Sequence, residues 1–157
     1  MLYIFDKDGT LVGGAGNRPA NIPEEQKLLP NVVQKISALK MAGHKIAIAS
    51  NQGGVAWGFI SSDQAENLVL DAAHKIGGVD SYRFSPYDPK AQKKNPNSVF
   101  AQDHESRKPR AGMIISLMDE LGYSPSETVM VGDMESDELA AEKAGCSFAW
   151  AKDFFND

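Results

Sequence analysis

The sequence predicts an α/β protein of the doubly wound kind: a Rossmann-like parallel sheet of about five strands with helices on both faces and no large cap domain. Three observations carry this expectation. Short runs that are apolar throughout alternate with amphipathic stretches of helical period. The order along the chain is β-α-β-α-β-α-β-α-β, which right-handed crossovers wind onto both sides of one sheet. Polar residues gather at the carboxyl ends of the strands, where such sheets bind ligands.

The elements follow in order. Residues 2–5 read as a buried strand that stops at Asp6-Lys7-Asp8-Gly9. Residues 12–23 hold Gly13, Gly14, Gly16, Pro19 and Pro23, which predicts a loop or small flap. Residues 30–42 place Val32, Val33, Ile36, Leu39 and Met41 at helical spacing, with Pro30 near the first helical position and Gly43 as the stop. A second buried strand, 45–50, runs into the turn Asn51-Gln52-Gly53-Gly54. Ser61 and Gln64 form a capping box for a helix through Ile76. A weaker strand covers 81–84, and the stretch 87–107 has no clear period. Helices at about 111–121 and 136–144 end at Gly122 and Gly145, and strands cover 128–131 and 147–151.

Composition narrows the function. The 157 residues are 42% hydrophobic and 24% charged, which excludes disorder and collagen-like repeats. A chain of this length buries about 70% of its unfolded surface. Without an internal repeat or long linker, 1–157 reads as one domain. Cys146 is the single cysteine, so a disulfide framework or a cysteine zinc cluster within the chain is excluded. The net charge of -5 argues against coating nucleic acid by bulk charge, though not against a local basic groove. The N-terminus lacks a signal-peptide core, and no apolar run approaches a membrane span. A cytoplasmic protein without membrane contact, monomeric or weakly oligomeric, is expected.

The chemistry gathers at strand ends. Asp6 and Asp8 follow the first strand, Ser50 and Asn51 the second, and Asp133 and Asp137 the fourth; Lys108 precedes the third helix. Each has a plainer reading. Asp8-Gly9 is a common turn dipeptide, Ser50-Asn51-Gln52 suits any strand-to-helix loop, and Asp133 and Asp137 suit a helix N-terminus. Their shared edge favours a joint purpose. Crowded carboxylates call for a cation, and hard oxygen ligands suit Mg²⁺. A metal, a lysine, a hydroxyl and main-chain N–H groups together suit a phosphoryl group.

Phe5-Asp6-Lys7-Asp8-Gly9-Thr10 resembles the D-x-D-G-T motif of the haloacid dehalogenase phosphatase superfamily. Ser50, Lys108 and Gly132-Asp133-Met134-Glu135-Ser136-Asp137 resemble its three further motifs, in order. Ser50-Asn51-Gln52-Gly53-Gly54 and Arg107-Lys108-Pro109-Arg110-Ala111-Gly112-Met113 are similar to segments of subclass III. That group includes heptose bisphosphate, histidinol and polynucleotide 3'-phosphatases. The resemblance implies a Mg²⁺-dependent phosphomonoesterase working through an aspartyl-phosphate. Asp6 is then the nucleophile and Asp8 the acid and base. Asp6, Asp133 and the Asp8 carbonyl hold Mg²⁺, supported by Asp137. Lys108 neutralises charge, while Thr10, Ser50, Asn51 and Arg107 bind the substrate.

A small sugar phosphate is the first expectation for the substrate and a 3'-phosphorylated polynucleotide the alternative. A receiver-like phosphoacceptor domain is the alternative from another class, but its acceptor aspartate is missing after the third strand, at Phe84-Ser85-Pro86. Two departures stand out. Many of the heptose and histidinol phosphatases it resembles carry a zinc loop where this chain has Ser85-Pro86-Tyr87 and His104-Glu105-Ser106, so no zinc is expected. Trp57 stands where those families often have a basic residue, either stacking on a ligand or packing its loop. The lysines and arginines of 90–110 read as a basic loop near the site or as a solvated one.

Overall fold

The structure is a computed structural model and describes residues 1–156. In chain order the strands are β1 (Leu2–Phe5), β2 (Val12–Gly13), β3 (Lys27–Leu28), β4 (Lys45–Asn51), β5 (Ser81–Ser85), β6 (Thr128–Gly132) and β7 (Ser147–Trp150). The helices are α1 (Val32–Met41), α2 (Gly54–Trp57), α3 (Ser62–Lys75), α4 (Gly112–Leu121), α5 (Glu135–Ala144) and α6 (Ala151–Phe154). Five strands form one parallel sheet in the order β5-β4-β1-β6-β7, and β2 pairs antiparallel with β3 in a separate two-stranded flap. The central strand is β1, in register with both β4 and β6.

Strand alternation divides the core. Phe5, Ile46, Ile48 and Val131 point to one face, where α1 supplies Val32 and Ile36 and α3 supplies Val69. Leu2, Ile4, Ala47 and Met130 point to the other, against Met113, Ile114 and Leu117 of α4 and Ala140 and Ala144 of α5. This two-sided burial explains why β1 and β4 are apolar without alternation.

The expected elements are present, with instructive differences at their ends. α1 begins at Val32 and not at Pro30, because Asn31 takes a left-handed conformation at φ 69° and starts the helix late. The capping box of α3 forms as expected: Gln64 N–H donates to Ser61 Oγ at 3.1 Å and Ser61 N–H to Gln64 Oε1 at 2.7 Å. The glycine-rich turn after β4 contains the short helix α2, and residues 151–154 form α6 where a strand end was expected. No large cap interrupts the sheet. Leu11 accepts a hydrogen bond from Leu29 N–H at 3.0 Å, so the flap closes back onto the first turn.

The α4 face depends on close packing. Leu117 is fully buried, so Leu117→Ala should destabilise the protein by about 2–5 kcal/mol. Urea unfolding should show this as a lower midpoint with an unchanged slope.

Candidate active site

β1 delivers the first two carboxylates. Asp6 N–H donates to Val131 O at 2.9 Å, so the chain is still docked on β6 where Asp6 emerges. It then turns sharply, with Lys7 O accepting from the N–H groups of Thr10, Leu11 and Val12. Gly9 serves this turn twice. Its φ is +82°, and a Cβ there would overlap the Asp133 carboxylate. Gly132 is similarly constrained, because a Cβ would run into the Asp137 carboxyl group.

Lys108 arrives from the opposite side. Asn51 receives it through two reciprocal bonds, Asn51 Nδ2 to Lys108 O and Lys108 N–H to Asn51 Oδ1, each 3.0 Å. The lysine is 2% exposed. Its Nζ lies 2.8 Å from Asp6 Oδ1, 2.7 Å from Asp137 Oδ1 and 2.7 Å from Ala49 O. Burial works against this ammonium, but the two carboxylates prevail and hold it above its ordinary value. Asp137 also accepts from the N–H groups of Asp133 and Met134, which open α5.

Asp6, Asp133 and Asp137 each present a carboxylate oxygen within 4.8 Å of the others. Three negative charges meet one ammonium. Asp133 shows the strain: partial desolvation, a shared hydrogen bond with Asp6 and the charges of Asp6 and Asp137 push it up to about 7. A hard divalent cation fits this donor set, since it would balance the two uncompensated charges with oxygen ligands alone. Thr10 Oγ1 lies 3.4 Å from Asp133 Oδ1 and orients that acid.

Asp8 faces another way. It lines a cavity of about 430 Å³ together with Asn51, Trp57, Asp88, Arg18 and Arg107. Burial pushes its carboxyl up, and the neighbouring Lys7 opposes the shift. Arg107 donates to Tyr87 O at 2.7 Å and lies 3.7 Å from Asp88. Trp57 Nε1 donates to Asp88 Oδ2 at 2.9 Å, which fixes the indole as a wall of this cavity. Phe59 stacks against it, with ring centroids 6.1 Å apart.

The structure thus gathers Asp6, Asp8, Thr10, Asn51, Lys108, Asp133 and Asp137 around the end of β1. Ser50 lies fully buried at the same edge, and its hydroxyl donates to Gln52 Oε1 at 2.7 Å. Lys90, Lys93 and Lys94 are exposed in the loop beyond β5. Where the sequence has Ser85, His104 and Ser106, the hydroxyls of Ser85 and Ser106 bond at 2.8 Å, and Ser106 Oγ meets His104 Nδ1 at 2.8 Å. Tyr87 stacks on the His104 ring at 4.1 Å. Sequence reasoning missed Lys7, Gln26 and Asp88. Nothing in their local pattern marks them, because a lysine or glutamine in a polar turn ordinarily points to solvent.

Comparison with known proteins places the chain. The family described as haloacid dehalogenase-like hydrolase matches residues 94–151. A D-glycero-beta-D-manno-heptose-1,7-bisphosphate 7-phosphatase of Haemophilus ducreyi is 30% identical over 148 residues, covering 90% of this chain and 77% of the relative. The D-glycero-D-manno-heptose-1,7-bisphosphate 7-phosphatase of Thermosynechococcus vestitus is 30% identical over 152 residues, covering 91% and 74%. Among solved structures, the D,D-heptose 1.7-bisphosphate phosphatase of B. bronchiseptica, complexed with magnesium and phosphate, superposes with a TM-score of 0.78. It is 26% identical and covers 94% of this chain and 78% of that one.

The charge balance has a pH signature. Asp133 takes up its proton near 7 in the folded protein and near its ordinary value, 3.8, when unfolded. Between those values the folded state binds more protons, so stability falls as pH rises. Asp8 and Asp137 are shifted in the same direction. The melting temperature of metal-free protein should therefore drop between about pH 5 and about pH 7.5, and Mg²⁺ should restore it mainly at the higher pH. A flat or rising profile in a calorimetric scan would contradict this account of the cluster.

Proposed function

The chain belongs to the haloacid dehalogenase-like hydrolases and is a phosphoric monoester hydrolase of that family, and from that premise we propose that it hydrolyses a small sugar phosphate through an aspartyl-phosphate on Asp6. The observation that carries this reading is the buried Lys108 ammonium shared by Asp6 and Asp137, with Asp133 beside them. It presents one carboxylate in a fixed orientation, held by an ammonium, at the edge where a phosphoryl group would dock.

Asp6 attacks phosphorus in line while Lys108 holds its Oδ1 and draws off negative charge. Asp8, on the wall of the cavity beside Asp6, gives its proton to the departing alkoxide. The same carboxylate then takes a proton from the water that cleaves the acyl phosphate, which frees Asp6. Asp6 and Asp133, with the Asp8 carbonyl, would hold Mg²⁺, which when bound supplies Lewis-acid screening of the phosphoryl oxygens. Asp137 supports that group through its bonds to Lys108 and to the first N–H groups of α5. Thr10 keeps Asp133 turned toward the cluster. Ser50 and the Asn51 main chain stand at the edge where the phosphoryl oxygens would lie.

The leaving group enters the cavity of about 430 Å³ beside Asp8. That volume lies in the range of small-molecule sites and suits a single sugar. Arg107 and Arg18 offer guanidinium groups there, and Trp57 offers a flat apolar wall. The names of the Haemophilus ducreyi and Thermosynechococcus vestitus relatives support a phosphorylated sugar as the substrate class.

Purified protein should release phosphate from an aryl phosphate in Mg²⁺ and stop when EDTA is added, and Asp6→Asn should fall to background. Full turnover in Asp6→Asn would remove the nucleophile from this mechanism. Ranked by kcat/KM, a heptose bisphosphate should exceed histidinol phosphate and a 3'-phosphorylated oligonucleotide. The reverse order would replace the sugar assignment.

A further inference from the structure

Lys7 is the most unusual side chain in the molecule that the mechanism above does not use. It lies between the two catalytic aspartates in sequence, yet its side chain is wholly buried. Lysine is almost never fully buried unless it is paired. Here Nζ lies 2.7 Å from Asp8 Oδ1 and donates to Gln26 Oε1 at 2.6 Å. The pairing continues inward. Gln26 is 2% exposed, and its Nε2 donates to Leu68 O at 3.0 Å and to Asp71 Oδ2 at 2.9 Å, both in α3. Asp71 in turn is ion-paired with Lys75, which donates to Pro23 O at 2.8 Å. A continuous polar chain therefore runs from Asp8 through the flap to α3.

This arrangement treats the two oxygens of Asp8 differently. Oδ1 is pinned by the ammonium. The carboxyl as a whole keeps 26% exposure and lines the cavity shared with Trp57 and Arg107. We propose that Lys7 is a positioning residue, anchored by Gln26, that fixes Asp8 with one oxygen held and the other turned toward the leaving group. It touches neither substrate nor the reacting phosphorus and acts only through Asp8. Proton transfer demands a donor within hydrogen-bond reach of the departing oxygen. A short aspartate side chain at the lip of a turn is free to rotate away unless something holds it. An exposed lysine would lose the contest with water, whereas this buried one is shared only between Asp8 and the anchoring Gln26. The inference rests on the reading of Asp8 as general acid.

Leaving groups separate positioning from general damage. A phosphate ester with a good aryl leaving group departs without a proton, whereas an alkyl ester needs one. Lys7→Met keeps the length and apolar stem of the side chain and removes the ammonium. It should lower kcat/KM on an alkyl phosphate by roughly 100-fold, since kcat/KM reports only as far as the aspartyl-phosphate and leaves out the hydrolysis common to both esters. On the aryl phosphate kcat/KM should fall no more than about threefold. Lys7→Arg should recover much of the alkyl rate. Because Lys7→Met strips the turn of a buried ion pair, Gln26→Met serves as the second variant. It leaves the ammonium beside Asp8 but releases its anchor, and should lower kcat/KM on the alkyl ester by about tenfold with that on the aryl ester kept. Asp8→Asn, assayed in parallel, isolates the premise. If Asp8→Asn leaves the alkyl-to-aryl ratio unchanged, the acid reading fails and this inference with it. If Asp8→Asn shifts the ratio while Gln26→Met and any folded Lys7→Met do not, the inference alone is overturned.

Discussion

Everything at this sheet edge depends on one ammonium. Lys108 joins Asp6 at the end of β1 to Asp137 at the start of α5 and closes its third bond on Ala49 O of β4. The end of β1, the strand β4 and the start of α5 are thereby tied at one point. Removing either carboxylate would leave a buried ammonium with a single counter-charge, and removing the lysine would leave two acids repelling each other; both are costly in a low dielectric. The small residues around it follow from this crowding. Gly9 and Gly132 are glycines because the carboxylates of Asp133 and Asp137 occupy the space a Cβ would need.

The same interaction explains why the cluster is built for a cation yet is stable as a fold. Lys108 compensates one of the three charges, and the elevated proton affinity of Asp133 shows where the remainder concentrates. The site thus stores repulsion that a divalent ion or a proton relieves. The surrounding core bears that stress. Both faces of the sheet are packed by fully buried side chains such as Ile36, Ile48, Ile114 and Leu117, so the strand ends cannot drift apart to ease it.

Much of this was legible in the sequence, and the division between legible and hidden is physical. β1 and β4 were readable because a strand buried on both faces must be apolar throughout. Asp6, Asp8 and Asp133 were readable because polar residues at strand ends have only one common destination in a parallel sheet. The capping box at Ser61 was readable because it is local. The start of α1 was not, since the left-handed Asn31 depends on how the flap returns to the sheet. Lys108 carried almost no local signal of its own. Its meaning lies in Asn51, whose amide grips its backbone from a distant stretch of chain. Lys7 was hidden for the same reason: only the folded flap places Gln26 over it.

Two aspartates separated by one residue are asked to do opposite things in the proposed mechanism, one to stay charged and attack, the other to carry a proton. The structure gives them different surroundings: burial raises the proton affinity of Asp8 against the opposing Lys7 ammonium, while Asp6 pairs with Lys108. Asp6 faces Lys108 among carboxylates, on the side where a cation fits. Asp8 faces Lys7 and opens onto the cavity walled by Trp57. The turn at Gly9 sends the two side chains to different surroundings, and surroundings set the roles of like groups. Among the described residues no large cap closes over the sheet edge, so the residues lining that cavity are the ones placed to contact a leaving group. Trp57 and Arg107 both lean on Asp88, so the apolar wall and the guanidinium hold a common orientation. The wall and the guanidinium are therefore held together beside Asp8, and the flap that anchors Lys7 also supplies Arg18 to the rim of the cavity.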